Sequence, residues 1–252
     1  MQPIFLKKVL QKMMVNNQQP RKIAIFVEGK TELKFVEKLL QEILTENQYS
    51  IQTQEMRGSK GLIKINVINH GLFPTSIKCF ILITDCGSDT TVKSYILEQR
   101  QSLINNGYST IIGLLDLYPK RKTDLNDFKF RLNFKVPQIP IPISFVISVM
   151  EVEAWFIGEF THFERIDIRL TQQFIKEKLN IDISTLIPED IPQPAQLLNQ
   201  IYQLVSKGYT KKGKQIQNTV GSLDYAQIFF SLPDRISSLN DFIELINTQI
   251  IL

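Results

Sequence analysis

Histidine and cysteine are nearly absent. The 252-residue chain has two of each: His70 and His162, Cys79 and Cys86. Two histidines cannot supply an HExxH zinc site or a His-rich metal cluster, and two cysteines cannot build a paired C-x-x-C ribbon. One cysteine pair is too few for a disulfide framework and fits a reducing compartment, so a cytoplasmic protein is expected. Cys79 opens a strand-like run and Cys86 lies just past its end, which disfavours a bridge between them. Long apolar runs are lacking too. The longest, 139–150, is interrupted by Pro140 and Pro142 and is shorter than the ~18 residues a spanning helix needs, so no membrane partner is expected. Neither sign of charge dominates. The 29 Lys+Arg against 25 Asp+Glu leave +4, which permits a nucleic-acid partner without demanding one.

What is present suits a folded chain: 43% of residues are apolar and 21% charged, enough to bury a core. The opening run MQPIFLKKVLQKMM carries Lys7, Lys8 and Lys12 inside an apolar pattern, which predicts an amphipathic helix rather than a signal peptide. Asn16 to Pro20 reads as a linker. KIAIFV (22–27) is apolar on both faces and predicts a central strand, followed by a helix that Thr31 can cap. Further strands are expected near 51–56, 62–68, 78–84, 109–115 and 142–149. A helix is expected over 90–106, a polar basic loop over 119–126 and a short helix over 152–157. Beyond Gly158 helical periodicity takes over, at 168–179, 194–206, 222–232 and 239–248. The pattern predicts an α/β fold: a mostly parallel, Rossmann-like sheet flanked by helices, with a C-terminal helical extension.

The carboxylates fall at telling positions. Four predicted strands run straight into an acid: IFV into Glu28, FILIT into Asp85, IIGLL into Asp116, and FVISVM into Glu151, with Glu153 two residues on. In a parallel sheet those ends share one edge, where ligands bind. Carboxylates gathered there repel unless a cation joins them, and Mg2+ or Mn2+ is the natural oxygen-seeking partner. Gly29-Lys30-Thr31 imitates the end of a P-loop, but position 24 is Ala24 within the strand, so no phosphate-cradling loop precedes it. Glu28-x-Lys30 also imitates half of a restriction-type nuclease motif. No aspartate precedes Asp85, so only a rearranged version is possible.

The string FVEGKTELKFVEKLL resembles the opening motif of the Toprim domain. It is similar above all to small stand-alone Toprim-like proteins of largely unknown function related to the OLD-family nucleases. LLDLYP (114–119), MEVEAWFIG (150–158) and YTKKGKQI (209–216) fit the same group, so the resemblance runs from about Arg21 to the C-terminus. It implies a Toprim-like α/β domain over 21–160, preceded by the helix and linker of 1–20 and followed by a helical extension over 161–252. It further implies Mg2+-dependent phosphodiester chemistry. Glu28 would be the acid, base or a metal ligand, and Asp116 a principal ligand. Glu32 with Glu151 or Glu153 would complete a second metal position. Such proteins often accompany an ATPase of the AAA or ABC type in defence against phage or mobile DNA. One departure is plain: the usual Asp-x-Asp is missing, since Asp116 is followed by Leu117 and Tyr118. Asp85, Glu151 or Glu153 must then lend a ligand.

Cations suited to phosphate contact are Lys30 at a helix start, Arg57 and Lys60 in a glycine-flexed loop, and Lys120, Arg121 and Lys122 after Asp116. Lys211 and Lys212 join them from a cluster that also holds Lys207 and Lys214. Trp155 and Phe156 read as core, His70 and His162 as structural, and Tyr118 as no nucleophile. The expected activity is a metal-dependent nuclease or phosphoesterase acting on DNA or RNA. The alternative is a catalytically weak, Toprim-like regulatory or binding subunit of an ATPase complex. A primase-like reading finds no nucleotide-binding fingerprint.

Overall fold

Runs that are apolar at nearly every position form the middle of one sheet. The computed structural model describes residues 20–45, 48–58, 62–71 and 77–251. The expected N-terminal helix (1–14), the linker up to residue 19 and Lys60 lie outside the described residues. Among the described residues six strands form: β1 (Arg21–Val27), β2 (Tyr49–Arg57), β3 (Lys64–Asn69), β4 (Cys79–Asp85), β5 (Thr110–Asp116) and β6 (Ile143–Ser148), in the order β3-β2-β4-β1-β5-β6. All neighbours pair in parallel except β3, which runs antiparallel to β2 at the edge. The interior strands β4 and β5 are buried along their whole length, which requires cover on both faces.

Two apolar clusters supply that cover, and strand side chains alternate between them. Ile23, Ile25 and Val27 face a large cluster built with α1 (Lys30–Ile43) and the C-terminal helices. Those helices are α4 (Glu153–Gly158), α5 (His162–Ile166), α6 (Gln172–Leu179), α7 (Pro194–Gln203), α8 (Gly213–Ser222), α9 (Tyr225–Phe230) and α10 (Ser237–Ile246). Ala24 and Phe26 face the opposite cluster, under α2 (Asp89–Asn105) and α3 (Leu125–Asn133). The helical extension is therefore half the cover of the sheet: Trp155 of α4 stacks on Phe242 of α10 at 6.0 Å and meets Phe35 of α1 at 5.7 Å. Among the described residues no helix is long and apolar enough to cross a membrane.

Three local expectations need correction. Thr31 does not cap α1: Gly29 holds the cap position in extended conformation, and Thr31 is buried in the first turn. The stretch 119–126 is not all loop, since a 3-10 turn forms at 122–124 and α3 starts at Leu125. Helices α5 and α8 appear where no separate helix was expected, and α6 starts at Gln172 rather than 168.

Candidate metal centre

Register builds the site. β1 lies between β4 and β5, with Val27 level with both Asp85 and Leu114. Glu28 follows at once and reaches the end of β5, where its Oε2 accepts a hydrogen bond from the Asp116 backbone N–H at 3.1 Å. On the other flank, β6 sets Ser148 beside Asp116. The Ser148 hydroxyl donates to Asp116 Oδ1, and the Val152 N–H donates to the same oxygen at 3.1 Å. After β6 the chain turns through Met150, a non-glycine residue at φ 68°, a conformation that costs about 1–2 kcal/mol. That turn delivers Glu151 and then Glu153, the first residue of α4. One carboxylate oxygen from each of Asp116, Glu151 and Glu153 lies within 4.8 Å of the others.

The helical extension supplies the partners. Glu151 Oε2 accepts from the Ala195 N–H at 3.0 Å, at the start of α7, where the helix dipole favours negative charge. Tyr209 donates its phenol to Glu153 Oε1 at 2.8 Å. Lys211, held at φ 55°, places Nζ 3.0 Å from Glu151 Oε1 and 3.2 Å from Glu153 Oε1. Glu153 Oε2 is buried and has no hydrogen-bond partner. Glu32 enters from the first turn of α1, also buried.

Burial and mutual repulsion set the protonation. Desolvation, then the charge of Glu153, pushes Glu32 from 4.5 up to about 8, against the pull of Lys211. Burial followed by Glu32, Glu28 and Glu153 raises Asp116 well above the usual carboxylate range. Burial also raises Glu153, although Lys211 opposes it. For Lys211, burial disfavours the ammonium, but Glu153, Glu151, Asp116 and Glu32 together outweigh that and raise its pKa. These residues thus sense one another's charge as a single group.

The family described as "Domain of unknown function (DUF4276)" matches residues 27–227. The chain belongs to this family. No curated protein matches it. Among solved structures, a "putative cell surface hydrolase" from Lactobacillus plantarum WCFS1 aligns over 93% of each chain at 11% identity and a TM-score of 0.36, a likeness too distant to carry an argument.

In this DUF4276 chain the edge gathers Glu28, Glu32, Asp116, Glu151 and Glu153 but not Asp85. That correction has a simple cause. Asp85 ends β4, on the far side of β1 from β5, and both its oxygens are taken. Arg57 binds them at 3.2 and 2.8 Å, and the Gly87 N–H adds a bond at 2.8 Å. Arg57 is accordingly a structural partner of Asp85 rather than a phosphate contact. Lys211 is likewise corrected: it serves the carboxylates instead of a surface patch. Lys30 and Lys212 are exposed. Lys122 pairs with Asp190, Arg121 lies 3.7 Å from Asp124, and Lys120 sits 4.2 Å above the Phe128 ring. Sequence reasoning missed Ser148 and Tyr209. The strand position level with Asp116 could have pointed to Ser148, and Tyr209 opens the YTKKGKQI segment, whose spacing alone does not say which acid it meets.

The donor set fits a hard divalent ion. Every offered atom is a carboxylate oxygen, Asp116, Glu151 and Glu153 outnumber the Lys211 ammonium set against them, and a buried oxygen of Glu153 lacks a hydrogen-bond partner. The site is compatible with a metal-binding role.

Proposed function

We propose that this chain is a metal-dependent phosphodiester hydrolase of Toprim type acting on nucleic acid. The observation that carries the reading is the buried convergence of Asp116, Glu151 and Glu153 with an oxygen left unpartnered. Asp116, Glu151 and Glu153 would hold Mg2+ or Mn2+, with Glu28 and Glu32 alongside. A divalent ion in such a site polarises a phosphoryl oxygen and acidifies water. The protein's own groups divide the remaining work. Ser148 and the Val152 N–H fix one oxygen of Asp116. Burial and the charge of Glu153 keep Glu32 protonated up to about pH 8 while no cation is bound; a divalent ion beside it would favour its carboxylate and make it a further oxygen ligand. Glu28, which accepts a hydrogen bond from the Asp116 backbone N–H, would act as the base. Glu151 and Glu153 occupy the role left open by the missing second aspartate of the Toprim pattern.

Calorimetric titration with Mn2+ and cleavage of plasmid, single-stranded DNA and tRNA test the reading together. The wild type binds the ion and cleaves at least one substrate, while Asp116→Asn and Glu153→Gln lose both. Wild-type cleavage by Glu28→Gln and Asp116→Asn, or no heat with Mn2+, refutes it.

A second reading has its own observation. Lys211 already bridges Glu151 and Glu153 and offsets part of their charge without a metal, as a silent site would require. The chain would then be a regulatory or binding subunit of an ATPase complex. Efficient cleavage by the isolated protein excludes this. The ATPase partner and a role against phage or mobile DNA rest on the Toprim and OLD resemblance alone, and co-purification from the native host tests them.

A further inference from the structure

The chain's net charge sits in one stretch. Residues 118–135 hold six cations and two acids, a net of +4 that equals the whole chain's, while the other 234 residues carry 23 of each sign. The stretch begins two residues after Asp116, so about 7 Å of extended backbone at most separates Tyr118 from the acidic edge. It then forms the turn at 122–124 and α3.

Helix α3 is anchored on its inner side by Leu132, with Leu125 and Phe128 packed beside it. Lys93 of α2 clamps its end, donating to the Arg131 and Phe134 carbonyls at 2.9 and 3.0 Å. The outer side keeps two aromatic rings in water. Phe130 is 67% exposed and Phe134 53%, with ring centres 6.0 Å apart, and Tyr118 is 40% exposed nearer the edge. Neighbouring rings left in water amid cations form an interaction surface rather than a packing one. The cations are lightly engaged. Arg131 pairs with Asp127, Lys129 lies 3.6 Å from Asp241, and Lys135 sits 5.3 Å from the Phe134 ring centre. Exposed pairs of this kind open at little cost when a phosphate arrives.

We infer that this face binds unpaired nucleic acid. Bases stack on Phe130 and Phe134, phosphates lie along Arg121, Lys129 and Lys135, and the strand passes Tyr118 on its way to the carboxylates. A duplex presents the same phosphates but hides its base faces, so the rings select the single strand. An anionic membrane shares the charge complementarity. The observation favouring nucleic acid is that the cationic stretch leads directly from the edge proposed to cleave a phosphodiester, and the inference rests on that reading for its substrate.

The test uses the full-length Asp116→Asn protein in EDTA, which removes cleavage. Fluorescence anisotropy compares a twenty-nucleotide oligothymidylate with a blunt duplex of equal length. The oligothymidylate is expected to bind at least tenfold tighter. Phe130→Ala and Phe134→Ala each weaken it by roughly fivefold to a hundredfold, the range of one base–aromatic stack, and leave duplex binding unchanged. Arg121→Gln and Lys135→Gln each flatten the salt dependence by about 0.7 in log–log slope. An unchanged thermal midpoint for the two exposed phenylalanine variants confirms that the fold is intact. Equal affinity for duplex and single strand, indifference to both phenylalanine variants, or preferential binding to phosphatidylserine–phosphatidylcholine vesicles overturns the inference. The two readings fail separately. Strand preference without Mn2+ binding by the wild type keeps this face and removes the hydrolase. Cleavage without strand preference removes this face and keeps the hydrolase.

Discussion

Glu32 and His162 are buried ionisable residues that push stability in opposite directions with pH. The folded-state pKa of Glu32 is raised from 4.5 to about 8, so between those values the folded chain holds a proton that the unfolded chain releases. Its stabilising contribution is full below about pH 4.5 and is lost as pH rises through 8. Glu32→Gln should therefore be more stable than wild type at pH 8 in EDTA, by at least about 1 kcal/mol, as read by urea titration. His162 is the reverse. Its Nε2 lies 3.1 Å from the Tyr202 hydroxyl, and burial lowers its pKa from 6.5 to about 4. Stability linked to it is present above pH 6.5 and is lost as pH falls through 4, about 3 kcal/mol in all. His162→Gln should remove that acid-side decline even if it lowers stability throughout, and urea midpoints across pH 4 to 7 read the slope. Each window carries the opposite sign, so the two variants separate the contributions.

At the scale of elements, Gly113 shows how tightly β5 is held between its neighbours. A Cβ there would stand 2.6 and 2.8 Å from the Phe145 ring of β6 and 3.1 Å from Ile96 of α2. Gly113→Ala should cost about 1–3 kcal/mol by overpacking, measured by urea unfolding, and should disturb the strand that presents Asp116. The same elements show what the sequence made readable. β1, β4 and β5 are nearly continuous apolar runs and β6 interrupts its own only with Ser144 and Ser148, so their ends, and the acids beyond them, could be placed to within a few residues. Which ends converge depends on strand order, which no local pattern encodes. Asp85 looks equivalent to Asp116 in sequence yet lies one strand too far away and bonded to Arg57. Helix α3 was hidden because KTDLNDFKFRLN leaves two of its aromatic rings in water or only partly covered. Helix α8 was hidden because GKQIQNTVGS buries just two apolar side chains, Ile216 and Val220, beside the polar Thr219. Lys211 read as surface charge because its partners lie some sixty residues upstream.

At the scale of the whole molecule, the acids come from the sheet edge, α1 and the start of α4, so an ion bound there would tie these elements together and compete with Lys211 for Glu151 and Glu153. Mn2+ at a hundred times its Kd should add about 2.7 kcal/mol of stability. For a chain of this length that is about 5–10 °C in Tm. Differential scanning calorimetry should show the rise in wild type and none in Asp116→Asn.

The distance along the chain between Glu151 and Lys211 also matters while the protein is being made. Their contact spans sixty residues, about 3–12 s of ribosome travel at ordinary elongation rates. For that interval the nascent sheet already has its carboxylates but lacks both the amine that offsets them and the helices that shelter them. The carboxyl rim must therefore stay hydrated until translation has delivered Tyr209, Lys211 and the helices around them.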